Sequence, residues 1–366
     1  MAETSRPIRV GLIGYGFAGK TFHAPLIGAV PGLSLVAVCS SDSAKVLADL
    51  PHVEVLADAV TLATSSTVDL VVIASPNDSH VPLARAALHA HRHVVVDKPF
   101  TLSLAEAREL SALAETQQRL LSVFHNRRWD SDFLSIRQAI TQGLIGTVAH
   151  FESHFDRFRP QVRRRWREGS GPGSGIWFDL GPHLVDQAIQ LFGVPQRVLA
   201  SLALQRQGAL SDDWAHVVLE YGSRRVVLHA GMLVAGGVPR FAVHGNEGSL
   251  IKRKSDPQEA QLLAGMKPHA QGWGVDTDDV VRYDGSGGES LIRASPGDQS
   301  QYYAGIYAAL RGTGPNPVPP LQALAVVAVI EAAMLSAQSG RAVEPDLTDD
   351  ERSALVLTLT CSELQA

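Results

Sequence analysis

Asp179-Leu180-Gly181-Pro182-His183 sets a carboxylate and an imidazole four residues apart in a chain of 366 residues. On a helix that spacing puts both on one face, where the carboxylate can orient the ring for acid–base work. The same residues also read as a helix start, with Asp179 the N-cap and His183 half-buried. Lys98 stands in Asp97-Lys98-Pro99, directly after an apolar run. An ammonium at the mouth of a buried strand is costly away from water, and lysine pKa falls readily on partial burial. Lys98 therefore suits proton transfer or alkoxide stabilisation, although a surface lysine paired with Asp97 fits equally. Residues 8–19, IRVGLIGYGFAG, are an apolar run ending in Gly14-x-Gly16-x-x-Gly19. A strand entering a glycine turn before a helix offers bare N–H groups and a helix's positive end to an anion. In that context the motif reads as a dinucleotide site, with Gly14, Gly16, Phe17, Ala18 and Gly19 around the phosphates.

An NAD site usually carries an acid for the ribose 2′-hydroxyl roughly 20 residues past the glycines. Here that place holds Ser40 and Ser41, which leave room for a 2′-phosphate, and Lys45 is near enough to supply charge. NADP is favoured over NAD on this ground; the first acid, Asp42, comes two positions later, where a helix N-cap is expected, and the rival reading is that both serines merely cap the next helix. Ser75-Pro76-Asn77-Asp78-Ser79-His80 follows the fourth strand, at the carboxyl end where open sheets hold ligands. Asn77 is placed to meet the nicotinamide end, with Ser75, Pro76 and His80 beside it. Pro-Asn-Asp before a Ser cap is also an ordinary turn.

Several functions are disfavoured. Apolar residues at 45% and charged residues at 19% describe a globular chain with ample core. A net charge of −5 argues against a nucleic-acid partner. The basic run Arg163-Arg164-Arg165-Trp166-Arg167 is isolated in an acidic chain, so contact with cofactor phosphate or substrate suits it better. Cys39 and Cys361 make neither a disulfide framework nor a zinc site and fit a reducing cytosol. His89, His91 and His93 span a helix end and a strand start without a fourth ligand, so no metal is expected. The amino terminus lacks an apolar signal core, and the longest apolar run, 323–330, is too short to span a bilayer. A cytoplasmic protein without a membrane partner is expected.

These residues need a scaffold. Over 7–124, near-continuous Val/Ile/Leu strands at 8–13, 33–38, 53–55, 70–74, 93–96 and 120–124 alternate with helices at 17–29, 43–50, 59–65, 81–90 and 103–118. That alternation is an α/β pattern and predicts a doubly wound parallel sheet. Ser103 with Glu106 is a capping box. After 124 a helix is expected at 131–141, then strands at 148–156, 198–205, 215–221, 224–233 and 240–243 in an antiparallel sheet. A helix opening at Asp179 should end near Phe192, before Gly193 and Pro195. The stretch 255–297 reads as loop, 300–311 as helix, 312–320 as loop and 321–339 as a final helix.

Together these residues resemble the Gfo/Idh/MocA oxidoreductases. The stretches GYGFAGKTFHAPLI, HNRRWDSDF and RPQVRRRWREG…DLGPHLVDQ are similar to its branch of NADP-dependent scyllo-inositol dehydrogenases. The resemblance implies a Rossmann domain over 1–124 and a second α/β domain over 125–366 with an open, mainly antiparallel sheet, the helix at 321–339 packing on either. It implies a cofactor at the strand ends and a substrate between the domains. The family's lysine in Glu-Lys-Pro falls on Lys98, with Asp97 one methylene shorter than the Glu. Its aspartate and histidine fall on Asp179 and His183, its TPN-type turn on Pro76-Asn77, and its tryptophan–arginine pair near the cofactor on Trp166-Arg167. The implied reaction is hydride transfer between NADP(H) and a secondary alcohol or ketone of a cyclic polyol or sugar. Rival readings are an aldose or dihydrodiol substrate, or a non-catalytic NADP(H)-sensing protein. His154, Asp156 and Arg163 are second-domain candidates for the substrate. A homodimer or homotetramer formed through the sheet's outer face is expected.

Overall fold

The computed structural model describes residues 6–363, with side chains to residue 358. Residues 1–5, part of the stretch read above for a signal core, and the Cys361 side chain lie outside the described residues. The chain divides into two compact units, one of Met1–Trp129, Gln258–Trp273 and Asp298–Ala323, the other of Asp130–Pro257, Gly274–Gly297 and Leu324–Ala366. The first unit thus takes in two later segments, beside the single boundary after 124 expected from the sequence.

Six short apolar runs make the first unit's parallel sheet: β1 (Ile8–Ile13), β2 (Leu33–Cys39), β3 (Glu54–Leu56), β4 (Leu70–Ile73), β5 (His93–Val96) and β6 (Leu121–Val123). Their order is β3-β2-β1-β4-β5-β6. Val10, Leu12, Val71, Val72 and Val95 are wholly buried, as strands covered on both faces require. Strand order reverses between β1 and β4, and in such sheets ligands sit outside the carboxyl ends at that reversal. Helices α1 (Ala24–Gly28), α2 (Ser43–Asp49), α3 (Ala59–Thr64), α4 (His80–His89) and α5 (Leu104–Thr116) connect the strands. The Ser103–Glu106 capping box opens α5 as expected. The helix expected over 17–29 is interrupted by a π-helical turn, Gly19–His23. Pro25 has no N–H to continue a regular ladder, and the Ala24 N–H reaches back five residues to Gly19 O.

The second unit carries β7 (Val148–Asp156), β8 (Arg197–Ala203), β9 (Trp214–Tyr221), β10 (Arg224–Gly231), β11 (Phe241–Gly245), β12 (Gly248–Lys252), β13 (Val280–Asp284) and β14 (Glu289–Ile292). They form one sheet in the order β14-β13-β12-β11-β7-β10-β9-β8. The sheet is mainly antiparallel, but β7 and β10 run parallel at its centre. A helix and two strands separate them in sequence, the long crossover a parallel pair needs. Helix α6 (Ser131–Thr141) precedes the sheet, and α7 (Ile176–Phe192) packs on β7, β9 and β10.

Three expectations are corrected. The stretch 255–297 is not loop throughout: it contains α8 (Gln258–Leu263) and the edge hairpin β13–β14. That hairpin hides because β14, Glu-Ser-Leu-Ile, is polar and its Leu291 is exposed. Helix α7 starts at Ile176, three residues before Asp179. After α9 (Ser300–Leu310), α10 (Pro320–Ser339) is not the last helix, since α11 (Asp349–Glu363) follows. By length and composition α10 could cross a membrane, which the run 323–330 alone does not suggest, but 67% of its apolar window is buried inside the protein. Core packing explains its composition: a Cβ on Gly181 of α7 would lie 2.9 Å from Ile330.

Candidate active site

In the first unit the three glycines after β1 answer different demands. Gly14 has φ +97°, and a Cβ there would lie 2.6 Å from Ala74 O; a Cβ on Gly19 would overlap Gly14 O. Both are required by the chain's own packing. A Cβ on Gly16 would meet nothing within 4 Å. Gly16 is therefore not required by the chain's own packing.

The turn is braced from α2. Asp49 accepts from Tyr15 Oη (3.2 Å) and pairs with Lys20 (2.6 Å), while Lys45 Nζ donates to Tyr15 O at 3.0 Å. Burial, followed by Asp49, pushes the Tyr15 phenol up to about 12. A cleft of about 530 Å³ opens beside Tyr15, Lys20, Asp49 and Met266. Phe17 is exposed above the turn, next to half-buried Ala18. At the end of β2, Asp42 rather than a serine caps α2, accepting from the Lys45 N–H (3.0 Å). Ser40 Oγ accepts from the Asp42 N–H, and Ser41 is exposed.

At the end of β4, Ser75 and Ser79 hydroxyls lie 2.6 Å apart, and Ser79 donates to Pro76 O. Asn77 is buried. His80 is 1% exposed, and its ring nitrogens face Pro99 O (2.9 Å) and Ser75 O (3.0 Å). The ring therefore braces the turns after β4 and β5 against each other. Burial lowers its pKa, against the pull of Asp97 and the two carbonyls.

Asp97, at the end of β5, is buried and accepts from the Lys98 N–H at 2.8 Å. Its other oxygen lies 3.7 Å from His23 Nε2, and His23 Nδ1 is 2.6 Å from Tyr303 Oη. Burial alone would raise the Asp97 pKa, but His23, Lys98 and His80 outweigh it and hold the carboxyl near 2. Asp97 is thus an anion beneath half-buried Lys98. Sequence reading missed His23 and Tyr303. They lie 280 residues apart and carry no local signal.

In the second unit the start of α7 is built from elsewhere in the chain. Asp212 supplies the cap that the expected Asp179 does not: its main-chain oxygen accepts from the Ile176 N–H (2.7 Å) and its Oδ2 from the Trp177 N–H (2.8 Å). Burial raises the Asp212 pKa, against these N–H donors. Asp179 and His183 then project from one face of the first two turns. His183 is buried, with the Phe155 ring 6.3 Å away edge-on. Arg167 lies 3.8 Å from Asp179 Oδ1 and over the ring of exposed Trp166 at 5.0 Å. A small cavity of about 30 Å³ beside Asp179 is walled by Arg157, Arg159, Arg167 and Arg206. Arg163 is exposed on the preceding loop, its N–H donating to Glu168. Buried Arg240 holds the frame together, bonding Asp132 of α6, Ser153 of β7 and Gln187 of α7. His154 and Asp156 lie elsewhere, on the even-numbered face of β7, opposite the face of Phe151, Ser153 and Phe155.

Known proteins bear on this arrangement. Residues 8–125 match the description "Oxidoreductase family, NAD-binding Rossmann fold", and residues 137–344 match "Oxidoreductase family, C-terminal alpha/beta domain", both of the Gfo/Idh/MocA family. The uncharacterized oxidoreductase YdgJ of Escherichia coli (strain K12) is 54% identical over 334 residues, 90% of this chain and 96% of that protein. The scyllo-inositol 2-dehydrogenase (NADP(+)) IolW of Bacillus subtilis (strain 168) is 34% identical over 341 residues, 92% and 95% of the two chains. A crystal structure of a putative oxidoreductase from Klebsiella pneumoniae is 58% identical and superposes with a TM-score of 0.92, covering 97% of this chain and 99% of that one. The chain belongs to the Gfo/Idh/MocA family of oxidoreductases, with a nicotinamide-dinucleotide Rossmann domain followed by the family's C-terminal α/β domain.

Proposed function

We propose that the protein transfers hydride between NADP(H) and a secondary alcohol or ketone of a cyclic polyol or sugar, with scyllo-inositol the first substrate to try. The observation that carries this reading is the Asp179–His183 pair on one face of α7, in a chain whose Gly16 is bare for a dinucleotide. When bound, the nicotinamide supplies the hydride acceptor. His183 takes the proton from the substrate hydroxyl oxygen, and Asp179 orients the ring and stabilises the imidazolium it becomes. Lys98 Nζ donates to that oxygen and steadies its growing charge, with anionic Asp97 below favouring the ammonium.

Three observations support NADP. The carboxylate of Asp42 is committed to capping α2, the Ser40 and Ser41 hydroxyls stand at the end of β2, and Lys45 is exposed nearby. A relative at 34% identity is named as NADP(+)-dependent. Trp166 and Arg167 are assigned to the cofactor.

The test follows NADPH absorbance with a panel of inositols, aldoses and dihydrodiols. Turnover on an inositol is expected. Lys98→Ala and His183→Ala should each lower it by about a hundredfold or more, while His183→Ala keeps dinucleotide affinity. Undiminished turnover in either variant removes that residue from the mechanism. Tight NADPH binding with no turnover on any substrate replaces the enzyme with a dinucleotide sensor.

A further inference from the structure

The even-numbered face of β7 and its neighbours carries a group of side chains that the proposed reaction does not use. In the parallel register His229 of β10 stands beside His154 of β7, and Gly231 beside Asp156. His154 Nδ1 lies 3.3 Å from Asp156 Oδ2, and His229 Nε2 lies 3.5 Å from Asp156 Oδ1. One ligand atom from each of the three residues falls within 4.8 Å of the others. The Asp156 side chain is only 5% exposed, and neither of its oxygens accepts a hydrogen bond among the described residues.

A buried carboxylate without hydrogen bonds is costly. The two rings face it as ion-pair partners, but neither makes a well-formed hydrogen bond to it among the described residues. One ligand atom from each residue lies within 4.8 Å of the others, close enough to converge on a shared cation with small side-chain adjustments. Tetrahedral bonds of about 2.0–2.2 Å to imidazole nitrogen and carboxylate oxygen put neighbouring ligand atoms about 3.3–3.5 Å apart.

The surroundings set the rings for ligation. Glu152 Oε2 lies 3.1 Å from His154 Nε2, so the carboxylate that would orient a ligating ring stands on the side away from Asp156. His229 Nδ1 lies 3.4 Å from His216 Nδ1, so its Nε2 can serve as the lone-pair side. Gly231 keeps the space open, since a Cβ there would stand 3.3 Å from both Asp156 Oδ1 and His229 Nε2. We propose that His154, Asp156 and His229 bind one divalent first-row transition ion of the zinc class, with a water as fourth ligand, clamping β7 to β10. This gives His154 and Asp156 a metal-binding role in place of the substrate contact expected from sequence, and it is independent of the polyol reaction.

The experiment uses full-length, tag-free protein stripped with a chelator, loaded with zinc chloride, dialysed, and assayed for metal by mass spectrometry. About one zinc per chain is expected, together with a raised Tm. Cobalt(II) should give the intense visible bands of a tetrahedral site. His229→Gln and Asp156→Asn should each lose the bound metal, the bands and the Tm rise. Glu152→Gln, which removes only the partner of a ligand, should weaken affinity by about ten- to a hundredfold. If a ligand variant does not fold, the wild-type zinc content and cobalt spectrum decide. Retention of less than about a tenth of an equivalent by wild type, no tetrahedral cobalt spectrum, or equal uptake by the folded variants overturns the proposal.

Discussion

At the amino ends of β1 and β4, Arg6 and Arg9 both close on Asp69, with Arg9 donating through its main-chain N–H as well as its guanidinium. At the carboxyl ends of the same sheet lie Gly16, Asn77 and Lys98, carried on turns that other residues brace. Burial is deepest towards the carboxyl ends of β1, β2 and β5, so the edge that carries the ligand turns is also the better packed one. Opposite charges satisfy each other at one edge. At the other, Asp49, His80 and Asp97 spend their bonds holding the turns that carry Gly16, Asn77 and Lys98. The contrast separates residues that keep the sheet closed from those that make it useful.

Two glycines three residues apart sharpen that contrast most. Gly19→Ala forces a Cβ into Gly14 O, and no side chain can yield there because the obstacle is main chain. It should cost about 2–4 kcal/mol, seen as a Tm fall of at least about 5 °C. Gly16→Ala places its methyl in open space, so its Tm should stay within about 1 °C of wild type while NADPH affinity falls by about tenfold or more. Equal Tm losses in the two variants, or full NADPH affinity in Gly16→Ala, would make the glycines interchangeable and erase the distinction.

Asp97 is the next measure, because it is an acid of the carboxyl edge with a structural duty. Asp97→Asn keeps an oxygen for the Lys98 N–H but removes the charge facing His23, whose Nε2 is buried. A loss of about 1.5–3 kcal/mol in chemical unfolding is expected, the usual cost of removing a charge-assisted buried partner. Stability indistinguishable from wild type would show that His23 needs no anion.

What the residues disclosed in advance follows the range over which each feature is built. β1, β5, β7 and α6 are legible to the residue because each is coded by its own contiguous pattern, and the Ser103–Glu106 box spans three residues. The glycine turn is equally local. The start of α7 is not: its cap, Asp212, lies 35 residues away from Trp177, so Asp179 looked like the cap. The grouping of His154 with His229 depends on strand register across a crossover, so in sequence they are two isolated histidines 75 residues apart. Tyr303 reaches His23 only because the segment Asp298–Ala323 returns to the first unit. Short-range chemistry was readable, and whatever a distant segment completes was not.

The amino edge supplies the smallest effect and the sign that identifies it. Burial alone would raise the Asp69 carboxyl, but the Arg9 side chain and N–H, with Arg6 beyond, bring it down from 3.8 to about 2. A carboxylate depressed in the folded state contributes stability above its unfolded value, and that contribution fades as pH falls from about 4 towards 2. Arg6 is largely exposed and Asp69 partly so, which screens the pair and keeps its worth below about 1 kcal/mol. Asp69→Asn should therefore lie slightly below wild type in Tm at pH 6, and the gap should narrow between pH 4 and 3, with NADPH affinity the same in both proteins. A gap that stays constant to pH 3 would assign the loss to neutral hydrogen bonds rather than charge. A fall in NADPH affinity would mean that the amino edge is coupled to the ligand turns, and the division between the two edges would fail.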